Sequence, residues 1–235
     1  MDWTNRIDEL VGHDSFVMRY GQDCEPFIEY MYRNYEGGDP EIDSMPEQND
    51  KLFQSYRKPL YDIAKYSKSQ FIIELGTREG RSADSFVRAV GDEGKVISFD
   101  PNPIEGVSVT YPDRWIFHAM TGEQGYEVFG NSFPPVDMLY IDTDPHTLEQ
   151  TRMWLKNYWI HLVRPGGFIV MDDCCPQHQA EVRDKHYEGV WRVTNDYGIL
   201  RALLEYVDDN ESNIDYAFTV FNNQCNGFSV IKLKD

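Results

Sequence analysis

Cysteines, basic residues and long apolar runs are scarce in this 235-residue sequence. The four cysteines are Cys24, Cys174, Cys175 and Cys225; two are adjacent, and neither a Cys-x-x-Cys pair nor a Cys/His zinc spacing occurs. That excludes a disulfide framework and a zinc finger, and it suits reduced thiols inside a cell. Lys and Arg number 22 against 40 Asp and Glu, for a net charge of −18. Phosphate neutralisation needs clustered cations, so nucleic acid and anionic membrane surfaces are disfavoured as partners. A cation or a metal ion is the natural guest of an acidic cleft. No stretch approaches the roughly 18 apolar residues of a membrane helix. The opening MDWTNRIDEL carries charges where a secretion signal is apolar. Together these absences set the expectation of a cytoplasmic protein.

Hydrophobic residues make up 41% and aromatics 14%, enough for a packed core. The length suits one domain of roughly 150–200 residues with an appendage. The first 50 residues are aromatic-rich, loop-like around Gly37-Gly38-Asp39-Pro40 and without a clear strand, with a short helix over 26–35. A second helix is predicted from Pro46 to Tyr66, on the spacing of Leu52, Tyr56, Leu60, Ile63 and Ala64, with Pro59 as a kink point.

From residue 71 strands and helices alternate. The predicted strands are Phe71–Leu75, Lys95–Asp100, Trp115–Met120, Val136–Asp142 and Gly166–Asp172, with helices over Ser82–Val90, His146–Leu162 and 190–207. Tyr216–Phe221 and Phe228–Leu233 are separated by too few residues for a crossover helix and form an antiparallel hairpin. The expected fold class is α/β, a Rossmann-like doubly wound sheet with helices on both faces.

Three features at the predicted carboxyl edge carry chemistry. In Glu74-Leu-Gly76-Thr77-Arg-Glu-Gly80-Arg-Ser82 a strand enters a helix through two glycines, which allows close approach of a ligand to free N–H groups. Asp100 ends the next strand, where a carboxylate can accept from both ribose hydroxyls. The plainer alternative is that the glycines only tighten a turn and Asp100 caps a loop. The glycines are four apart, unlike a dinucleotide fingerprint, and Glu74 would repel a pyrophosphate. Asp142 and the pair Asp172-Asp173 end adjacent strands, and three carboxylates brought together repel unless a Mg²⁺-like ion resolves the conflict. Capping of loops is again the plainer alternative.

The segment IELGTREGRSA with IDTDPHTLE and PGGFIVMDD resembles a class I S-adenosylmethionine-dependent methyltransferase over residues 71–235. Within that class it is similar to the metal-dependent catechol and macrocin-type sugar O-methyltransferases and to relatives resembling cephalosporin hydroxylase. The resemblance implies a seven-stranded sheet of order 3-2-1-4-5-7-6 with the last strand antiparallel, and residues 1–70 as a helical lid. It also implies S-adenosylmethionine and a divalent cation such as Mg²⁺ as cofactors. By motif position Glu74, Gly76, Thr77, Gly80 and Ser82 would line the methionine end, Asp100 the ribose, and Met120 and Thr121 the adenine. Asp142 would serve cofactor and metal together, with Asp172 and Asp173 as further metal ligands. A small hydroxylated acceptor, of sugar or glycosylated type, and pairing with a second copy are further expectations.

Catechol-type enzymes carry a lysine in D-H-W-K, and this sequence has Asp142-Thr-Asp144-Pro145 instead. His146 and His178 follow the two acidic strand ends and are candidates for the general base, beside Asp142. His118 reads as a core or adenine-side residue, His161 as a helix-end residue, and Cys174-Cys175 as packing. Phe27, Tyr30, Tyr32 and Tyr35 could wall the substrate pocket or pack their segment on the sheet. Metal-independent transfer to another acceptor, a non-catalytic cofactor-binding subunit, and an NAD oxidoreductase remain as alternatives.

Overall fold

Short β-branched and aromatic runs form the strands, and the amphipathic stretches between them form the helices. The structure, a computed structural model, describes residues 15–21, 57–102, 106–143, 147–174, 198–222 and 225–235. In chain order the elements are β1 (Ser15–Gly21), α1 (Arg57–Tyr66), β2 (Phe71–Leu75), α2 (Arg81–Ala89), β3 (Lys95–Phe99) and β4 (Trp115–His118). There follow α3 (Gly122–Phe129), β5 (Val136–Ile141), α4 (Leu148–Lys156), β6 (Val163–Asp172), α5 (Gly198–Asp209), β7 (Ile214–Asn222) and β8 (Cys225–Leu233).

All eight strands join one sheet in the order β4-β3-β2-β5-β6-β8-β7-β1. Counted from β2, the first seven places are the expected 3-2-1-4-5-7-6. β2 to β6 are parallel, and β8 runs antiparallel between β6 and β7. The eighth strand was not expected. β1 lies in the segment read as strandless and pairs antiparallel with β7 from Ser15 opposite Asn222 to Gly21 opposite Tyr216.

Strand residues alternate between two cores, as the pleat requires. Ile72, Val96, Met138, Tyr140 and Val170 meet α1 and α2, whereas Ile73, Ile97, Leu139, Ile141 and Ile169 meet α4 and α5. In α1 the buried Leu60, Tyr61, Ile63 and Ala64 recur at helical spacing. Pro59 is its third residue, inside the first turn, where its missing N–H has no intrahelical partner to lose.

Two other differences have local causes. α3 was not anticipated, because Gly122 and Gly125 dilute its apolar pattern; a capping box between Thr121 and Gln124 starts it. The helix predicted over 146–162 stops at Lys156, and a 3-10 turn follows over Tyr158–Leu162. That break turns the fully buried Trp159 inward, and its indole N–H donates to the Gly122 carbonyl at 2.9 Å.

Candidate active site

The sheet reverses its winding between β2 and β5, and ligands of open α/β sheets bind outside such a switch point, at the carboxyl ends of the strands. Here the turn between β2 and α2 leaves no free space at Gly76. The Asp142 N–H donates to the Leu75 carbonyl at 2.8 Å, and the Gly76 N–H to Phe99 at 2.8 Å. A Cβ on Gly76, whose φ is +80°, would lie 1.8 Å from the Asp142 carbonyl oxygen. Gly80 caps α2 in a left-handed conformation and donates to the Thr77 carbonyl at 2.7 Å.

Asp100 occupies the inside of this turn. One carboxylate oxygen accepts from the Thr77 and Arg78 N–H groups at 3.2 and 2.9 Å, and the other accepts from Asn102 at 2.8 Å. Those two turn N–H groups are the donors a pyrophosphate would need. The turn therefore offers acidic groups where a dinucleotide site offers donors. Glu74 lies beneath it and is fully buried, with hydroxyl hydrogen bonds from Ser82 and Ser98 on its two oxygens. Burial pushes its carboxyl up to about 7, against the pull of the Ser82, Ser98 and Thr77 hydroxyls and with a further push from Asp100. The Thr77 hydroxyl influences Glu74, yet its buried oxygen makes no hydrogen bond of acceptable geometry. An unsatisfied buried hydroxyl at the turn is what a polar ligand there would complete.

Asp142 and Asp172 come together at the ends of β5 and β6, around a group the sequence reading missed. The fully buried Tyr140 hydroxyl donates to Asp172 Oδ2 at 2.9 Å and lies 3.5 Å from Asp142 Oδ2. The other Asp172 oxygen accepts from the Asp173 N–H at 2.8 Å. Burial, then Asp142 and Asp173, raise the Asp172 carboxyl well above its ordinary range. Asp173 takes a positive φ of 56°. Among the described residues no three His, Cys, Asp or Glu side chains are gathered to hold a metal ion. Each Asp172 oxygen takes one protein donor and keeps a lone pair, but the three carboxylates are not gathered as the expected metal site requires.

Residues 73–174, strands β2 to β6 with their helices, match a family described as a methyltransferase domain. Solved structures similar to the chain agree on the fold. A proposed O-methyltransferase from Klebsiella pneumoniae is 18% identical, with 88% of this chain and 97% of that one covered and a TM-score of 0.59. An O-methyltransferase from Bacillus cereus, solved with SAH, is 14% identical over 99% and 97%, TM-score 0.56. TomG from Streptomyces achromogenes, an O-methyltransferase solved with SAM, is 14% identical over 91% and 100%, TM-score 0.54. No curated protein sequence matches the chain.

The remaining expected residues fall into place unevenly. Gly76, Thr77, Gly80, Ser82 and Asp100 gather at the turn, whereas Glu74 is shut away beneath it. Thr121 caps α3, its hydroxyl accepting from Gln124, and the half-buried Met120 packs on the core. His118 stacks on Phe99 at 5.3 Å and contacts Phe129, and burial lowers its pKa. His161 is exposed in the 3-10 turn. Cys174 is buried, with its thiol pKa raised by burial, which suits packing and not nucleophilic work. His146, His178, Asp144, Cys175, Phe27, Tyr30, Tyr32 and Tyr35 lie outside the described residues. Among the described residues no helix is long and apolar enough to cross a membrane.

Proposed function

We propose that this chain transfers a methyl group from S-adenosylmethionine to a hydroxyl oxygen of a small molecule. The observation that carries the reading is the acidic βα turn. Asp100 consumes the donors a pyrophosphate needs, and Glu74 adds a second buried carboxylate, so the site suits a cofactor bearing an ammonium and a sulfonium. The three structural neighbours named above are described as O-methyltransferases, two of them solved with SAH or SAM, and that supports oxygen as the acceptor atom.

When bound, the cofactor supplies an electrophilic methyl group on a sulfonium. The chain's own part is to orient and to move one proton. Asp100 accepts from a ribose hydroxyl with the one lone pair its three backbone donors leave over. Thr77 gives its buried hydroxyl a partner in the methionine end. Asp142, half-buried at the crevice, serves as the base for the acceptor hydroxyl among the described residues, and His146 and His178 are the further candidates by sequence. Asp142-Thr-Asp144-Pro145 in place of D-H-W-K favours a sugar-type hydroxyl over a catechol.

Cation assistance by the two gathered acids, Asp142 and Asp172, is a second reading, favoured by the mutual repulsion that raises Asp172. Turnover abolished by a chelator and restored by Mg²⁺ supports it, and turnover indifferent to chelation removes it. Calorimetry with S-adenosylmethionine and with NAD tests the main reading. Binding of the first alone is expected; binding of NAD, or no binding of S-adenosylmethionine at millimolar concentration, overturns it.

A further inference from the structure

We infer that Glu74 is a positioning residue: it fixes the glycine turn through Ser82 without touching the ligand, and it gives up a proton when the cationic cofactor binds. The inference rests on the cofactor reading above and deepens it. Glu74 is the fourth residue of β2 and has no exposed surface. One oxygen accepts from Ser82, the second residue of α2, and the other from Ser98 on β3. Ser98 in turn accepts from the Trp115 indole N–H of β4 at 2.8 Å. A single carboxylate therefore ties three neighbouring strands to the first turn of the helix that follows the glycines.

The direction of these hydrogen bonds depends on the proton. An ionised carboxylate only accepts, so Ser82 and Ser98 both turn their hydroxyl protons toward it. The half-buried Ser82 then presents lone pairs on its other side, where an ammonium can donate. A protonated Glu74 must itself donate to one serine. Ser98 already receives the indole proton, so Ser82 becomes the better acceptor and its own proton turns away from Glu74, against an arriving cation.

Among the described residues no cation pairs with this carboxylate. Arg57 and Arg88 pair with Asp84, and Arg81 pairs with Glu79. The described titratable groups facing Glu74 are Asp100 and Tyr140, with Asp142 and Asp172 behind the phenol. None of these supplies a positive charge, and burial leaves Glu74 titrating at about 7. A cationic ligand arriving at the turn favours the ionised form.

Calorimetry of S-adenosylmethionine binding at pH 6.5, in two buffers of different ionisation enthalpy, counts the protons exchanged. An aliphatic α-amine stays protonated there, its ordinary pKa being about 7.7–8.0. Release of about three-quarters of a proton is expected, the fraction of Glu74 protonated at that pH. The dissociation constant should be about fivefold weaker at pH 6 than at pH 7, a range in which the amine stays largely protonated. In Glu74→Gln the proton release should vanish and the pH dependence should flatten. No proton release by the wild-type protein, an affinity flat from pH 6 to 7, or unchanged release in Glu74→Gln would each overturn the inference. If that variant does not fold, the two wild-type measurements decide. Absence of any binding at millimolar cofactor would instead overturn the functional reading itself.

Discussion

The two ends of the sheet treat their carboxylates in opposite ways. At the amino end the half-buried Asp137, on β5, accepts from the Gln70 and Phe71 N–H groups at 2.7 and 2.8 Å and pairs with Arg164 at 2.6 Å. Burial alone would raise its carboxyl, but these partners outweigh it and hold the pKa below its ordinary value. At the carboxyl end the buried Glu74 and Asp172 have hydroxyl and amide donors but no cation among the described residues, and both are raised. An acid is thus a rivet at one end and carries an unmet charge at the other. Raised, uncompensated acids in a crevice mark a functional end, and a fully paired acid marks a structural one.

The comparison breaks most sharply at Gly76. Gly76→Ala places a methyl group in the Asp142 carbonyl at positive φ, so a loss on the order of 4 kcal/mol is expected in a denaturant melt, with cofactor binding abolished. Next comes Asp137→Ala, which strands two backbone N–H groups and an arginine. It should cost on the order of 3 kcal/mol at neutral pH, and because this pKa is depressed the cost should fade as pH drops below about 4.

Glu74 has the opposite sign. Its pKa is raised, so the folded ligand-free state holds a proton that the unfolded chain has lost between about 4.5 and about 7. Stability should therefore fall as pH rises through that window, by on the order of 3 kcal/mol, and the fall should flatten in Glu74→Gln. Thermal melts across pH 5–8 measure it. The smallest effect is expected for Asp172→Asn, which keeps an oxygen acceptor for Tyr140 and removes a charge that burial, Asp142 and Asp173 oppose. Its unfolding free energy at pH 7 should stay within about 0.5 kcal/mol of the wild type.

The alternation from residue 71 was legible because strands buried on both faces read as unbroken apolar runs such as FIIEL, and because the hairpin lacks room for a helix. The turn residues were legible for a related reason, since glycine spacing and a strand-end acid are local signals. Burial was not. Glu74 looked like a pocket wall because a sequence does not show that Ser82 and Ser98 close over both its oxygens. Tyr140 read as one more apolar strand residue, although its hydroxyl sits between two carboxylates 2 and 32 residues away along the chain. Thr121-Gly-Glu-Gln124 did carry a readable sign of α3, the S/T-x-x-E/Q pattern, which its glycines obscured. β1 had no local sign, because its pairing is decided by β7.

That last strand constrains the order in which the molecule can be assembled. Gly21 and Tyr216, partners across the β1–β7 ladder, are 195 positions apart, so β1 leaves the ribosome long before its neighbour exists. Until β7 and β8 are made, the segment carrying β1 must wait without its ladder hydrogen bonds. Such a distant pairing is slow to reach, although the entropy of closing so long a loop grows only logarithmically with its length. Sealing this edge of the sheet thereby waits until β2 to β6 with their acidic crevice have emerged.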